Sequence, residues 1–495
     1  MFNKYAEMIK EKPIIGWTVF GIVLAAVFLL GILAASITER RAEVASIYNN
    51  VKEQISGIEP KNERWGQNYP REYETWAKTA NMDFKSKHLG NMVEDVLEAR
   101  PDMVILWAGY AFSRDYKAPR GHWYAIEDMR ETLRVGTPQD GQGDLQPGTC
   151  WTCKSPDVPR LMQDVGVAEF YKAKWSQWGA EVVNPIGCAD CHDPVTMNLT
   201  ITRPALVEAF QRRGIDIAKA SNQEMRSLVC AQCHVEYYFK GDGKYATFPW
   251  DGGFSLEAME EYYEQVGFTD WTHALSKAPM LKAQHPDYEL FMAGTHGQRG
   301  LSCADCHMPY ISEGGLKYSD HHLMSPLANI AATCQTCHRD TEENLRNYVY
   351  ERQDKILELR NRVEPELAKA HIMAQTAWES GATDEEMAGI LKLLRSSQWA
   401  WDFGVASHGG SFHAPIETQR VLAHSLDKAM QAQLELQKVL WKHGVEEFEM
   451  PDISTKAAAQ QYIGLDMPKL TKDKEIWLET VVPEWIKTAQ ANGRL

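Results

Sequence analysis

The sequence predicts a mainly α protein: a loop-rich, cysteine-bearing core, then long C-terminal helices, all behind an apolar N-terminal segment. Three observations carry that reading. An uncharged run from Ile14 to Thr38 is long enough for a spanning helix. All ten cysteines fall in five C-x-x-C pairs starting at 150, 188, 230, 303 and 334, and no repeat fills the uneven gaps. Beyond Cys337 there is no further cysteine, and apolar residues recur at helical spacing. A chain of 495 residues, 44% hydrophobic and 24% charged, can bury a large core. Its 16 Trp and 19 Tyr suit packing against large flat groups. A net charge of -15 lacks the basic footprint of a nucleic-acid binder. An anionic substrate would need a local positive patch.

Taken in order, residues 1–40 read as a targeting segment. Lys4, Lys10 and Lys12 precede the apolar run, and Glu39, Arg40 and Arg41 end it. A signal-peptide core is usually ~7–15 residues and a spanning helix ~20. Length therefore favours an uncleaved anchor over residues 14–38. Ala34-Ala35-Ser36 is the cleavage site of the competing signal-peptide reading. Either way the body is exported, to the periplasm. Residues 41–340 form the cysteine-bearing core, its start set by the end of the anchor.

Residues 341–445 form the long-helix region, for dimerisation and for covering the core. Leu345, Tyr348, Val349, Ile356, Leu359, Val363 and Leu367 keep helical spacing over 342–375, with Pro365 a candidate kink. Thr383 and Glu386 form a capping box before MAGILKLLRSSQWAW. A third helix runs from about Pro415 to His443, with proline at its start and Gly444 at its end. The first of these is longer than a globular helix needs, which points to a subunit interface. Residues 446–495, rich in Lys, Glu and Pro, read as a C-terminal surface extension.

Four of the five pairs continue as C-x-x-C-H: CADCH at 188, CAQCH at 230, CADCH at 303 and CQTCH at 334. With 16 His in 495 residues, four such hits in five arise by chance on the order of once in 10⁵. A disulfide framework has no use for that histidine. Zinc fingers also pair C-x-x-C units, but their second ligand pair is not fused to the first. C-x-x-C-H is the haem c attachment signature: two thiols form thioethers, and the adjacent histidine ligates the iron. Five covalent haems c are expected, on Cys150, Cys153, Cys188, Cys191, Cys230, Cys233, Cys303, Cys306, Cys334 and Cys337. The proximal histidines are then His192, His234, His307 and His338.

The first motif, TCWTCKSP, has Lys154 where the others have histidine. As a ligand the lysine must be a neutral amine, so iron must displace a proton of pKa about 10.4. An amine lacks a ring π-system and sets this haem apart from the other four. One odd haem among four ordinary ones divides the labour: four carry electrons, and one with an open position does chemistry.

One C-x-x-C-K motif followed by four C-x-x-C-H motifs resembles the pentahaem cytochrome c nitrite reductase family, which reduces nitrite to ammonium. The resemblance covers roughly residues 75–445. It implies a multihaem cytochrome c fold and active-site roles for Arg134, Tyr237 and His285 above the Lys154 haem. Arg134 alone would read as a surface arginine paired with Glu131 or Asp128, and Tyr237 as haem packing. The resemblance also implies Ca²⁺ held by Glu236, Gln284 and the carbonyls of Tyr237 and Lys282. It pairs distal His122 with the haem of Cys230/Cys233, His296 with Cys334/Cys337, His322 with Cys188/Cys191 and His413 with Cys303/Cys306. His321 competes with His322, and His408 with His413. Family members work as homodimers and draw electrons from a membrane quinol-oxidising multihaem cytochrome. Sulfite or hydroxylamine chemistry, a pure electron carrier, and a zinc protein are the competing readings. The last two predict no ligand-accessible haem and no colour, respectively.

Overall fold

The computed structural model describes residues 10–48, 52–88 and 90–495. Helices dominate, and the named strands form three two-stranded antiparallel hairpins. Helix α1 (Pro13–Tyr48) is continuous. Within Pro13–Ala42 the most apolar 18-residue window has mean hydropathy 2.7 and is 0% buried. So large an apolar surface requires a non-aqueous partner, as a signal or membrane anchor has. Lys4 lies outside the described residues.

From 52 to 340, short helices and turns alternate with the hairpins. These are β1–β2 (Tyr238–Lys240, Tyr245–Thr247), β3–β4 (Trp271–Thr272, Pro279–Met280) and β5–β6 (Tyr310–Glu313, Leu316–Ser319). Regular packing begins with α2 (Glu342–Glu379), α3 (Asp384–Ala406) and α4 (Pro415–Lys442). Helix α3 opens on the expected box, with Thr383 and Glu386 each bonding the other's backbone N–H. Gly444 follows α4 at φ +81, where a side chain would be strained. Helix α2 runs on through Pro365 although the ring removes a backbone donor. The turn is fixed by buried Glu364, which pairs with Arg100 and with Arg360 (2.9 Å) and accepts from Trp401 Nε1 at 3.0 Å. The inner faces of α2, α3 and α4 share one core, including Val363, Leu367, Leu394, Leu422 and Leu436.

Inside that core His273 and His371 stack at 3.8 Å and 16°. His273 bonds the Ile105 carbonyl (2.8 Å), and His371 bonds Gln398 Oε1 (2.7 Å) and Ser276 Oγ (2.9 Å). Burial pushes His273 down to about 4 and His371 well below its ordinary value. Unfolded, both titrate near 6.5. With depressed folded values, their contribution is intact above pH 6.5 and is lost as pH falls from there, down to about 4 for His273. The slope is about 1.4 kcal/mol per pH unit for each histidine. Urea midpoints between pH 7 and 5 are therefore expected to fall more steeply in the wild type than in His371→Gln.

The C-terminal segment is more than a surface cover. Helix α5 (Met467–Ala491) buries Trp477 and Val481. Trp477 lies 6.2 Å from Trp175, which stacks at 4.6 Å on Trp151 of the lysine motif. These sparse apolar positions among lysines and glutamates give little periodic signal.

Candidate active site

Each C-x-x-C pair sits on or beside a single helical turn. Cys188–Cys191 and Cys303–His307 are α-helical, Gly148–Trp151 and Cys334–Thr336 are 3₁₀ turns, and Cys230 lies at the end of Asn222–Ala231. Three-residue spacing on such a turn places both thiols on one side, as a two-point thioether attachment needs. In the two CADC motifs the aspartate closes the turn. Asp190 accepts from Gly187 N at 2.8 Å and Asp305 from Ser302 N at 2.7 Å. Gly187 leaves room for Asn62, whose Oδ1 would lie 1.9 Å from a Cβ there and instead accepts from Cys188 N at 2.9 Å. None of the ten cysteines forms a disulfide among the described residues. All ten line one continuous cavity of about 2020 Å³. Ordinary ligand pockets span about 300–1,000 Å³, so this one has room for several large groups.

Four histidine pairs cross that cavity with nearly one spacing between ring centres. His122 and His234 are 6.3 Å apart, His192 and His321 6.3 Å, His296 and His338 6.3 Å, and His307 and His413 6.2 Å. The rings are too far apart to touch. Two metal–nitrogen bonds of about 2.0–2.1 Å, plus about 1.1 Å of ring on each side, give a similar span. The outer nitrogens are tied back. His192 Nδ1 bonds the Met197 carbonyl (2.8 Å), His307 Nδ1 the Met324 carbonyl (3.0 Å) and His321 Nδ1 the Ser319 carbonyl (2.9 Å). That fixes the tautomer and leaves Nε2 for a metal. Burial pushes His122 down to about 3 and His321 and His413 to about 4, so the rings are neutral donors.

One pairing differs from the sequence expectation. The ring opposite His192 belongs to His321, not His322. Thr75 Oγ1 accepts from His321 N at 3.0 Å and, with the Ser319 carbonyl, turns that ring inward. His322 N instead bonds Asp320 Oδ1 at 3.0 Å. His322 lines the cavity, but its Nε2 has no hydrogen-bond partner among the described residues.

No second histidine pairs with Lys154 among the described residues. Arg134, Tyr237 and His285 line the cavity with it. Arg134 is not the partner of Asp128 or Glu131. Arg120 takes both, at 2.5 and 3.4 Å. The Arg134 guanidinium lies over Phe112 at 4.5 Å and Tyr116 at 5.6 Å, with Nε donating to Thr132 Oγ1 at 3.2 Å. His285 Nδ1 is buried and unpartnered among the described residues. Burial, then neighbouring His408 and Lys154, hold His285 well below its ordinary value, so it is neutral. Burial and the nearby Cys153 hold the Tyr237 phenol well above its own, so it keeps its proton.

Behind Tyr237, Glu236 is fully buried. Its Oε1 accepts from Tyr263 Oη at 2.8 Å and its Oε2 from Gln284 N at 2.5 Å. Gln284 Nε2 lies 3.4 Å from the Lys282 carbonyl. Burial raises Glu236 well above its usual range, with Glu289 and Asp270 adding to the shift. Asp270 itself is pushed up to about 7 and Glu289 to about 8. Two fully buried acids, Glu236 and Glu289, with half-buried Asp270 nearby and an amide oxygen and carbonyls beside them, are hard donors that fit a calcium ion.

The sequence did not reveal Asp287 as part of this site, and it offered His408 only as a competitor of His413. Asp287 Oδ2 lies 3.3 Å from both His234 Nδ1 and His408 Nδ1, and His408 stacks on His285 at 5.2 Å. His234, Asp287 and His408 are close enough to suggest a metal site. His234 instead faces His122, and Asp287 holds its Nδ1 from behind, as a carboxylate does that orients a histidine for a metal. The available signal was Asp287 two residues after His285.

The cytochrome c552 family profile matches residues 61–493. A cytochrome c-552 of Parabacteroides distasonis is 65% identical over 487 residues, 98% of this chain and 99% of that one. One from Desulfotalea psychrophila is 47% identical over 95% of this chain and 93% of its own. Among solved structures, the catalytic subunit of cytochrome c nitrite reductase from Desulfovibrio desulfuricans, described with two calcium sites, superposes with TM-score 0.74. It is 31% identical and covers 84% of this chain and 91% of its own. The matched span holds all five cysteine motifs, and the chain belongs to the cytochrome c552 family.

Proposed function

We propose that the chain is an ammonia-forming cytochrome c nitrite reductase carrying five covalent haems c and calcium. One contrast carries the reading. Four motifs end in histidines that face a second histidine, and the fifth ends in Lys154, among Arg134, Tyr237 and His285. The paired thiols, facing imidazoles and large cavity fit haem c. When bound, the haems would relay electrons from an external donor and supply an iron for the reduction.

His122 with His234, His321 with His192, His296 with His338, and His413 with His307 would hold four haems for electron transfer. Lys154 would hold the fifth, among Arg134, Tyr237 and His285. Arg134, a fixed cation without a carboxylate partner among the described residues, binds the charge of nitrite. Conversion to ammonium and two waters consumes six electrons and eight protons, so donors must stand beside the anion. Tyr237 offers its Oη proton, and neutral His285 takes up and passes on protons at Nδ1. Glu236, Gln284 and the carbonyls of Tyr237 and Lys282 would hold Ca²⁺, which relieves the buried negative charge and steadies Tyr237 and His285 from behind.

Homodimerisation is supported by a stripe on α4. Ile416, Met430, Leu434 and Trp441 are 83%, 43%, 64% and 60% exposed and share one helical face. With α1 as its anchor or signal, the body works in the periplasm, fed by a membrane quinol-oxidising multihaem cytochrome.

Titrating the oxidised, haem-loaded protein with nitrite or cyanide tests the reading. One haem in the five is expected to respond. No response is the electron-carrier result and overturns it. In the same assay His321→Ala is expected to open a second ligand-accessible haem and His322→Ala none; the reverse would reinstate His322.

A further inference from the structure

We propose that Arg203 is the positioning residue for Lys154, gripping the backbone on both sides of it and tying that loop to two neighbouring cysteine motifs. The proposal rests on Lys154 being an axial ligand. Arg203 is 1% exposed. Its Nε donates to the Thr152 carbonyl at 2.8 Å, and its Nη2 to the Ser155 carbonyl at 2.8 Å and to Asp190 Oδ1 at 2.6 Å. Nη1 donates to Thr202 Oγ1 at 2.6 Å. Thr152 and Ser155 bracket Lys154 in TCWTCKSP.

Asp190 belongs to the CADCH motif at 188, and its peptide is held by the motif at 230. Gln232 Nε2 donates to the Asp190 carbonyl at 2.7 Å. Gln232 Oε1 accepts from Thr202 N at 3.0 Å and Arg203 N at 3.1 Å. One buried network thus joins three haem-attachment motifs through positions that the C-x-x-C signature leaves unspecified. Ser155 is fixed from its other side too, its Oγ donating to the Asn184 carbonyl at 2.6 Å.

The arrangement calls for arginine. A planar guanidinium can bond two carbonyls and a carboxylate in different directions at once, whereas a lysine ammonium is a single point charge. A ligating lysine has a long flexible stem, so its amine stays on target only if the loop beneath it is rigid. Groups that orient a ligand in this way typically change metal affinity or activity about 10–100-fold when altered.

The test uses the haem-loaded full chain and cyanide as probe. Arg203→Lys keeps the charge and loses the forked reach. All five haems should remain attached, and the four bis-histidine signals in electron paramagnetic resonance should stay as in the wild type. The ligand-accessible haem should show a broadened or split signal, with cyanide affinity lowered roughly tenfold. If Arg203→Lys does not take up haem, Asp190→Asn keeps one acceptor for the guanidinium and is expected to change the ligand-accessible haem in smaller measure, together with the His192 haem whose turn Asp190 closes. An unchanged accessible haem, or a change confined to the bis-histidine haems, overturns the proposal. Cyanide binding needs no nitrite turnover, so failure of the nitrite assay does not mask this result. A wild type with no cyanide-accessible haem overturns Arg203 positioning and Lys154 ligation together.

Discussion

Arg134→Ala is expected to lower kcat/KM for nitrite by roughly 10²–10³-fold, the usual cost of removing a preorganised group that stabilises charge in a water-poor site. In a chain of net charge -15, an anion needs a local cation that is not already neutralised. Arg134 meets that need because Arg120 takes Asp128 and Glu131. Its guanidinium is steadied by Phe112, Tyr116 and Thr132, so little reordering is needed when nitrite arrives. Steady-state kinetics with a reduced viologen donor, alongside the optical spectrum, check this. Turnover should collapse while the spectrum stays that of a fully loaded protein. A collapsed spectrum would make Arg134 structural, and unchanged kcat/KM would remove it from the site.

Asp402→Ala should have the largest effect on stability. Lys282 and Asp402 form an ion pair at 2.9 Å with side chains 2% and 1% exposed. The Lys282 ammonium also donates to the Ala283 carbonyl and lies 5.3 Å from the Trp107 ring and 5.0 Å from that of Phe112. Burial raises the Asp402 carboxyl, and Lys282 acts against that shift. Removing one partner strands the other charge in the core, at about 3–5 kcal/mol. Asp402 Oδ2 also accepts from Ala283 N at 3.0 Å, beside the Lys282 carbonyl proposed to hold calcium. Lower urea midpoints and reduced calcium content are therefore expected together. A Lys282→Met/Asp402→Leu double variant should regain most of the stability, because well-packed apolar groups often replace a buried pair without loss. A single variant as stable as the wild type would contradict this account.

The parts legible from sequence were those fixed locally. Thioether attachment demands two thiols on one turn with the ligand beside them, so the cysteine motifs appear as short strings. Helices α3 and α4 announce themselves through the Thr383–Glu386 box, Pro415 and Gly444. What stayed hidden depends on residues far apart in sequence. His321 is chosen over His322 by Thr75 on a separate helix. Asp287 serves His234 and His408 from different segments, and Arg203 acquires its role only when the loops at 152, 190 and 232 meet around it. At Pro365 the helix continues, and the neighbouring Glu364 takes bonds from Arg100 and Trp401 as well as from its own helix. The acids Glu236, Asp270 and Glu289 are ordinary letters until burial makes their charge costly.

The most direct test of the central claim is the product of nitrite turnover. Haem-loaded protein is given reduced viologen and nitrite, and ammonium formed is counted against nitrite consumed. The account predicts one ammonium for each nitrite, with no released intermediate. A fully haem-loaded protein that consumes no nitrite, or that releases a partly reduced nitrogen oxide in place of ammonium, would contradict it.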